Sequence, residues 1–106
     1  MPSTQRLEAM LERGRDDALL RYGLGSAYLA DGVFGKAAEH LRAAVAHDRD
    51  YSAAWKLLGK ACVGANDLDG AIEAYQTGIT VAEARGDAQA AKEMTVFLKR
   101  AIKQKG

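Results

Sequence analysis

Residues 55–78 read WKLLGKACVGANDLDGAIEAYQTG, and residues 21–44, thirty-four positions earlier, read RYGLGSAYLADGVFGKAAEHLRAA. Laid over one another, they pair Leu24 with Leu58, Gly25 with Gly59, Ala27 with Ala61, Ala37 with Ala71 and Glu39 with Glu73. A period of that length, with apolar residues at three- and four-residue steps on both sides of a polar turn, predicts a repeated pair of helices. Gly25 and Gly59 then mark the places where two antiparallel helices approach closely, with Ala37 and Ala71 on the facing helix.

Outward from these two stretches the punctuation is helical throughout. The one proline is Pro2, so no interior breaker interrupts the chain. Gly14, Gly32, Gly64 and Gly86 each close an apolar-periodic run where a left-handed C-cap belongs, and Asp16 or Asp17, Asp67 and Asp87 follow as N-caps. These signals predict helices at about 4–13, 17–31, 34–47, 51–65, 68–84 and 88–104. The fold class is therefore all-α, with about six helices in one domain over residues 1–106. Phe34, Leu41, Leu68 and Tyr75 should meet Leu24, Tyr28, Trp55 and Leu58 in the layer between repeats.

Trp55, Leu58, Gly59, Ala71, Tyr75 and Gly78, matched by Arg21, Leu24, Gly25, Tyr28, Ala37, Leu41 and Ala44, resemble the tetratricopeptide repeat pattern. The first copy lacks the tryptophan, the second has Cys62 for the tyrosine, and Arg49 and Glu83 stand where the closing proline would be. The resemblance implies antiparallel helix-turn-helix repeats stacked as a short right-handed α-solenoid. It sets repeats at 18–51 and 52–85, a half-repeat helix at 3–13 carrying Leu7 and Met10, and a capping helix at 88–104. In the cap, Lys92 and Glu93 take the leucine and glycine positions. Lys99, Arg100, Lys103 and Lys105 join Lys92 on a solvated outer face, while Val96, Phe97 and Ile102 remain for packing.

Chemistry is sparse. Gly23-Leu24-Gly25 lacks the third glycine and the Lys-Ser/Thr of a phosphate loop. His40 and His47 lie two turns apart on one helix, about 10 Å, too far to share a metal, and read as solvent-facing. Cys62 reads as an inert core thiol. The pairs Asp48/Asp50 and Asp67/Asp69 read as turn and capping residues. No catalytic constellation, metal site or cofactor is expected. A formal charge of +1 argues against a nucleic-acid partner. The lone cysteine and the absence of a long apolar stretch place the chain in the cytoplasm, without a membrane partner.

The resemblance further implies that the first helices of successive repeats line a concave groove for an extended peptide or a partner helix. By motif position that groove comprises Leu19, Tyr22, Ser26 and Leu29, then Lys56, Lys60 and Val63, then Met94 with Ala90 and Phe97 from the cap. Lys56 and Lys60, four apart, share a helix face and suit an acidic or C-terminal peptide, with Tyr22 as an aromatic platform. The two-carboxylate clamp of chaperone-binding members is not reproduced, since neither Tyr22 nor Ser26 supplies its amide. The expected role is a monomeric, non-enzymatic protein-protein interaction module. The alternative is an assembly protein that self-associates through its repeat ends, near Leu7 and Met10 or near Phe97.

Overall fold

The computed structural model describes residues 2–106, with side chains from Thr4 onward. Six helices follow in order: α1 Pro2–Glu12, α2 Ala18–Ala30, α3 Phe34–His47, α4 Ser52–Gly64, α5 Leu68–Ala84 and α6 Ala88–Lys105. Their ends are set by local chemistry. The carboxylates of Asp17, Asp67 and Asp87 accept the backbone N–H of Leu20, Gly70 and Ala90 at 2.8, 3.0 and 3.2 Å, which satisfies amides that the first turn leaves unpaired. Gly32 and Gly86 take the left-handed conformation after α2 and α5. After α4 that conformation falls on Asn66, at φ 61°, and not on Gly64. Gly64 is instead the last residue of the helix, and a Cβ there would lie within 2.5 Å of three Phe34 ring carbons.

Each helix packs on its chain neighbour from α2 to α6, and α1 packs on α2. α2 also touches α4, and α4 touches α6. The odd-numbered α3 and α5 therefore form one layer and the even-numbered helices the other. Between them lies a core of Leu24, Leu41, Trp55, Leu58, Tyr75 and Met94, all buried. The closest approach is at Gly59, where an added Cβ would stand within 2.6 Å of three Tyr75 ring carbons. Gly25 plays the same part for Leu41, and Gly78 for the Met94 sulfur.

The helix starts reveal an irregularity that the 34-residue overlay conceals. α2, α4 and α6 begin at 18, 52 and 88, spacings of 34 and then 36 residues. α5 has 17 residues against 14 in α3, and its following loop is one residue shorter, so α6 enters two residues late. Met94 and Thr95, not Lys92 and Glu93, therefore occupy the leucine and glycine positions of the capping helix. The buried face of α6 is Ala90, Ala91, Met94 and Ala101, while Val96 and Ile102, expected to pack, are about half exposed.

His40 also departs from expectation, since it is 7% exposed where a solvent-facing residue was expected. Its ring stacks on Tyr28 at 5.6 Å. Arg21 donates to its Nδ1 at 3.1 Å, which puts the proton of the neutral ring on Nε2, 3.6 Å from the Glu8 carboxylate. Glu8 in turn accepts the Tyr28 hydroxyl at 2.8 Å. Arg21 also grips Asp16 at 2.8 and 3.0 Å, and the exposed His47 reaches the same carboxylate at 2.9 Å. This polar seam joins α1, the α1–α2 turn, α2 and α3. Arg21 and His47 together hold Asp16 well below the usual carboxylate range. Burial, helped by the charge on Arg21, pushes His40 below its ordinary value.

Two outcomes follow from these contacts. Gly59→Ala should gain about 1 kcal/mol of helix propensity yet lower stability by about 1–3 kcal/mol net, because the methyl group overpacks against Tyr75. Gly35→Ala, which meets open space in α3, should instead raise stability by up to about 1 kcal/mol; thermal melts of the two variants check the opposite signs. For His40, the unfolded chain takes up a proton near the ordinary histidine value of about 6.5, while the folded chain resists it. Stability is thus full above that pH and declines as pH falls through it, until folded His40 is itself protonated. Melting temperatures at pH 7.5 and 5.5 should drop further for the unmodified chain than for His40→Gln.

Candidate peptide-binding face

The layer of α2, α4 and α6 carries the residues expected to line a groove. On α2, Leu19 is 65% exposed, while Tyr22, Ser26 and Leu29 are half-buried. The Tyr22 ring stacks on Tyr51, just before α4, at 4.8 Å and an interplanar angle of 25°. Tyr22 is thus held as one face of an aromatic pair that joins α2 to the turn before α4. On α4, Lys56 and Val63 are half-buried and Lys60 is exposed.

Met94 does not belong to this face. It is fully buried, seated against Gly78 and the Trp55 side chain, because the 36-residue spacing turns it into the core. Ala90 is buried for the same reason. The residues of α6 that occupy the places of Ala53, Lys56, Lys60 and Val63 are Gln89, Lys92, Val96 and Lys99, and all four are exposed. The face so composed has apolar residues at Leu19, Leu29, Val63 and Val96, lysines at 56, 60, 92 and 99, and no carboxylate at an equivalent position.

The four lysines are not alike. Lys56 donates to Glu93 at 3.1 Å, an ion pair that ties α4 to α6. Lys60, one turn on, lies over the Phe97 ring at 5.0 Å and has no carboxylate partner among the described residues. Arg100 approaches the same ring at 5.9 Å. Lys60, Val63, Phe97 and Arg100, with Tyr75 and Gln104, line a cleft of about 210 Å³ between α4, α5 and α6. Phe97, expected both for packing in the cap and at the groove, is half-buried and lines this cleft. Arg100 was assigned to the outer cap face, Tyr75 to the core, and Gln104 to nothing. Only the phase of α6 places them together, and a 34-residue overlay does not carry that phase.

Elsewhere, Cys62 is buried, and its burial pushes the thiol up despite the Arg42 guanidinium at 3.5 Å. A thiol of that kind is a poor nucleophile. Among the described residues no group of three His, Cys, Asp or Glu side chains is placed to hold a metal ion. No helix among the described residues is long and apolar enough to cross a membrane.

This architecture has close counterparts. The chain is 55% identical over 94 residues to TPR repeat-containing protein PA0015 of Pseudomonas aeruginosa, an alignment covering 89% of this chain and 90% of that one. It is similar to the solution structure of protein BPP2914 from Bordetella parapertussis, with a TM-score of 0.80 and 48% identity over 95% of this chain and 88% of the other. PcrH, whose crystal structure holds the chaperone binding region of PopD, shares the fold at a TM-score of 0.88 but only 18% identity, over 97% of this chain and 78% of that one. The tetratricopeptide repeat model matches residues 5–46 and 22–88, and with the helix pairs and small-residue contacts described above this means that the chain belongs to the tetratricopeptide repeat family.

Proposed function

We propose that the chain is a non-catalytic binding module whose α2–α4–α6 face takes an acidic peptide, or an acidic amphipathic helix of a partner protein. The observation that carries this reading is the composition of that face: exposed apolar residues interleaved with lysines, with no carboxylate at an equivalent position. Apolar side chains of a ligand would cover Leu19 and Val96, and its carboxylates would meet Lys60, Lys92 and Lys99. PcrH supports the reading, since a scaffold of the same shape holds a segment of another protein. Lys56 is the least available of the cations because Glu93 already occupies it.

The reading is tested by titrating the ¹⁵N-labelled full chain with a pool of short acidic peptides. Shifts should concentrate at Tyr22, Ser26, Lys60 and Lys92 and weaken as salt is raised, as expected for exposed charges. Replacing Lys60 and Lys92 by Glu should lower affinity by about tenfold or more, some 1.4 kcal/mol, with an unchanged circular dichroism spectrum. Shifts on simple dilution, centred on Leu7 and Met10 or on Ile102, would replace the binding module with an assembling one.

A further inference from the structure

On α6, Ala91, Thr95, Leu98 and Ile102 stand four, three and four residues apart and so form one row along the helix. Thr95 donates its hydroxyl to the Ala91 carbonyl at 2.8 Å, which leaves the row with no polar group in need of a partner. Ile102 is 49% exposed, and Thr95 and Leu98 are half-buried. α6 packs on α4 and α5 and on no other described helix. Glu93 and Phe97, which meet Lys56 and Lys60, mark the side of α6 toward α4, and the row lies on the opposite side.

In the earlier repeats the corresponding row is covered. With α6 two residues late, Ala91 and Thr95 match Trp55 and Gly59 on α4, and Arg21 and Gly25 on α2. α5 covers the α4 row, setting the Tyr75 ring on Gly59 and Gly78 beside Trp55, and α3 covers the α2 row by setting Leu41 on Gly25. On α6 the relief is reversed. Thr95 fills the hollow that glycine leaves in the earlier pairs, and Ala91 opens one where Trp55 stands on α4. A cleft of about 330 Å³, lined by Glu83, Gly86, Ala88, Ala91 and Lys92, lies there at the α5–α6 turn. It opens onto a row about 16 Å long, which is the shape of a helix and not of a compact small molecule.

Charge narrows the occupant. Lys92, Lys99 and Lys103 each directly follow a member of the row, which sets them along one flank, and none has an ion-pair partner among the described residues. Two copies paired through this row would bring the lysines of one beside those of the other, so a second α6 does not suit it. We propose that the row receives an amphipathic helix of a partner protein, antiparallel to α6 as α5 is to α4. That helix sets a large apolar side chain in the cleft, a small residue over Thr95 and carboxylates toward Lys92, Lys99 and Lys103. The partner thereby completes a third helix pair that this chain leaves half built. The proposal goes beyond the face-binding reading and stands apart from it, since the row is on another side of α6.

The probes are two synthetic peptides based on α5, the helix that covers the matching row of α4. The parent spans residues 67–85 with blocked ends and carries Asp67, Asp69, Glu73 and Glu83 against the single Arg85. The second adds Tyr75→Ala and Gly78→Leu, which moves its bulk from the place opposite Thr95 to the place opposite Ala91. Titrated into the ¹⁵N-labelled full chain, the second should shift Thr95, Leu98 and Ile102 saturably, with a Kd on the order of 0.1–1 mM. The parent should bind at least about fivefold more weakly. Thr95→Gly in the full chain restores the hollow and should bring the parent level with the second peptide or above it. Ile102→Glu should weaken the second peptide by about tenfold or more, with circular dichroism showing both variants still helical and the shifts that acidic peptides cause at Tyr22 unchanged. Equal affinity of the two peptides, a preference that Thr95→Gly leaves as it was, or no saturable shift along the row would overturn the assignment. So would shifts at Tyr22 and Lys60 in place of the row, which would send the helix to the α2–α4–α6 face and leave that reading standing. Shifts at Ile102 on dilution alone would overturn it too, by making a second copy the occupant.

Discussion

The fold depends on a ring seated where a side chain is missing. Tyr75 lies across Gly59 so closely that a single methyl group at that position would enter the ring. The contact sets how near α4 and α5 come, and so how near α6 and α4 come on the other side. Leu41 on Gly25 repeats it one unit earlier, and Met94 on Gly78 carries it into the cap. Dispersion contacts of this kind are individually small, but they require a short interaxial distance along the whole helix pair. With that distance set, α2, α4 and α6 fall into one layer, and the residues on their outward side become a continuous face.

The first helix is attached by different means. α1 meets α2 at Leu7, whose methyl lies beside Gly23, and at the hydrogen bond from the Tyr28 hydroxyl to Glu8, and the same Glu8 carboxylate lies near His40 of α3. Tyr28, His40 and Arg21 complete a polar seam in which every group found there has a partner. The seam is invisible along the chain. His40 sits on a helix whose pattern allows either face, and the residues around it lie in α1 and α2, 12 to 32 positions away. The solvent-facing reading treats His40 and His47 alike, two turns apart on one helix, and it holds for His47, which is exposed, but not for His40.

The legible part of the structure was that written in local chemistry. Aspartate caps, left-handed glycines and three-to-four-residue apolar steps act within one or two turns, and they located all six helices to within two residues. The phase of α6 is not local. It depends on how long α5 runs before it stops, and α5 runs past the point where α3 ends because no breaker intervenes between Gly78 and Arg85. A two-residue delay rotates a helix by about 200°. That rotation moved Met94 into the core, brought Lys92 and Val96 onto the shared face and made a cleft wall of Phe97 and Arg100. The first interval keeps the 34-residue period, so α4 has the phase that the overlay gives it.

The near-neutral charge of the chain conceals how its charges are distributed. Arg15 with Asp17, Arg21 with Asp16, Arg42 with Asp67 and Lys105 with Asp69 cancel in surface pairs. Of the charges on these helices that remain without an ion-pair partner among the described residues, Glu39, Glu73 and Glu83 stand on α3 and α5, whereas Lys60, Lys92, Lys99, Arg100 and Lys103 stand on α4 and α6. The two layers thus differ in sign, although Lys36 interrupts the acidic one from a place over the Tyr28 ring. The outer sides of two packed helix layers, each helix about 10 Å across with its side chains, are separated by more than the Debye length of about 8 Å at physiological salt, so each face presents its own field. An approaching anion is steered by the face it meets and not by the sum. Net charge argued against a polyanion as large as nucleic acid, which would overlap both layers; it places no such restriction on a peptide narrow enough to lie along the α2–α4–α6 face alone.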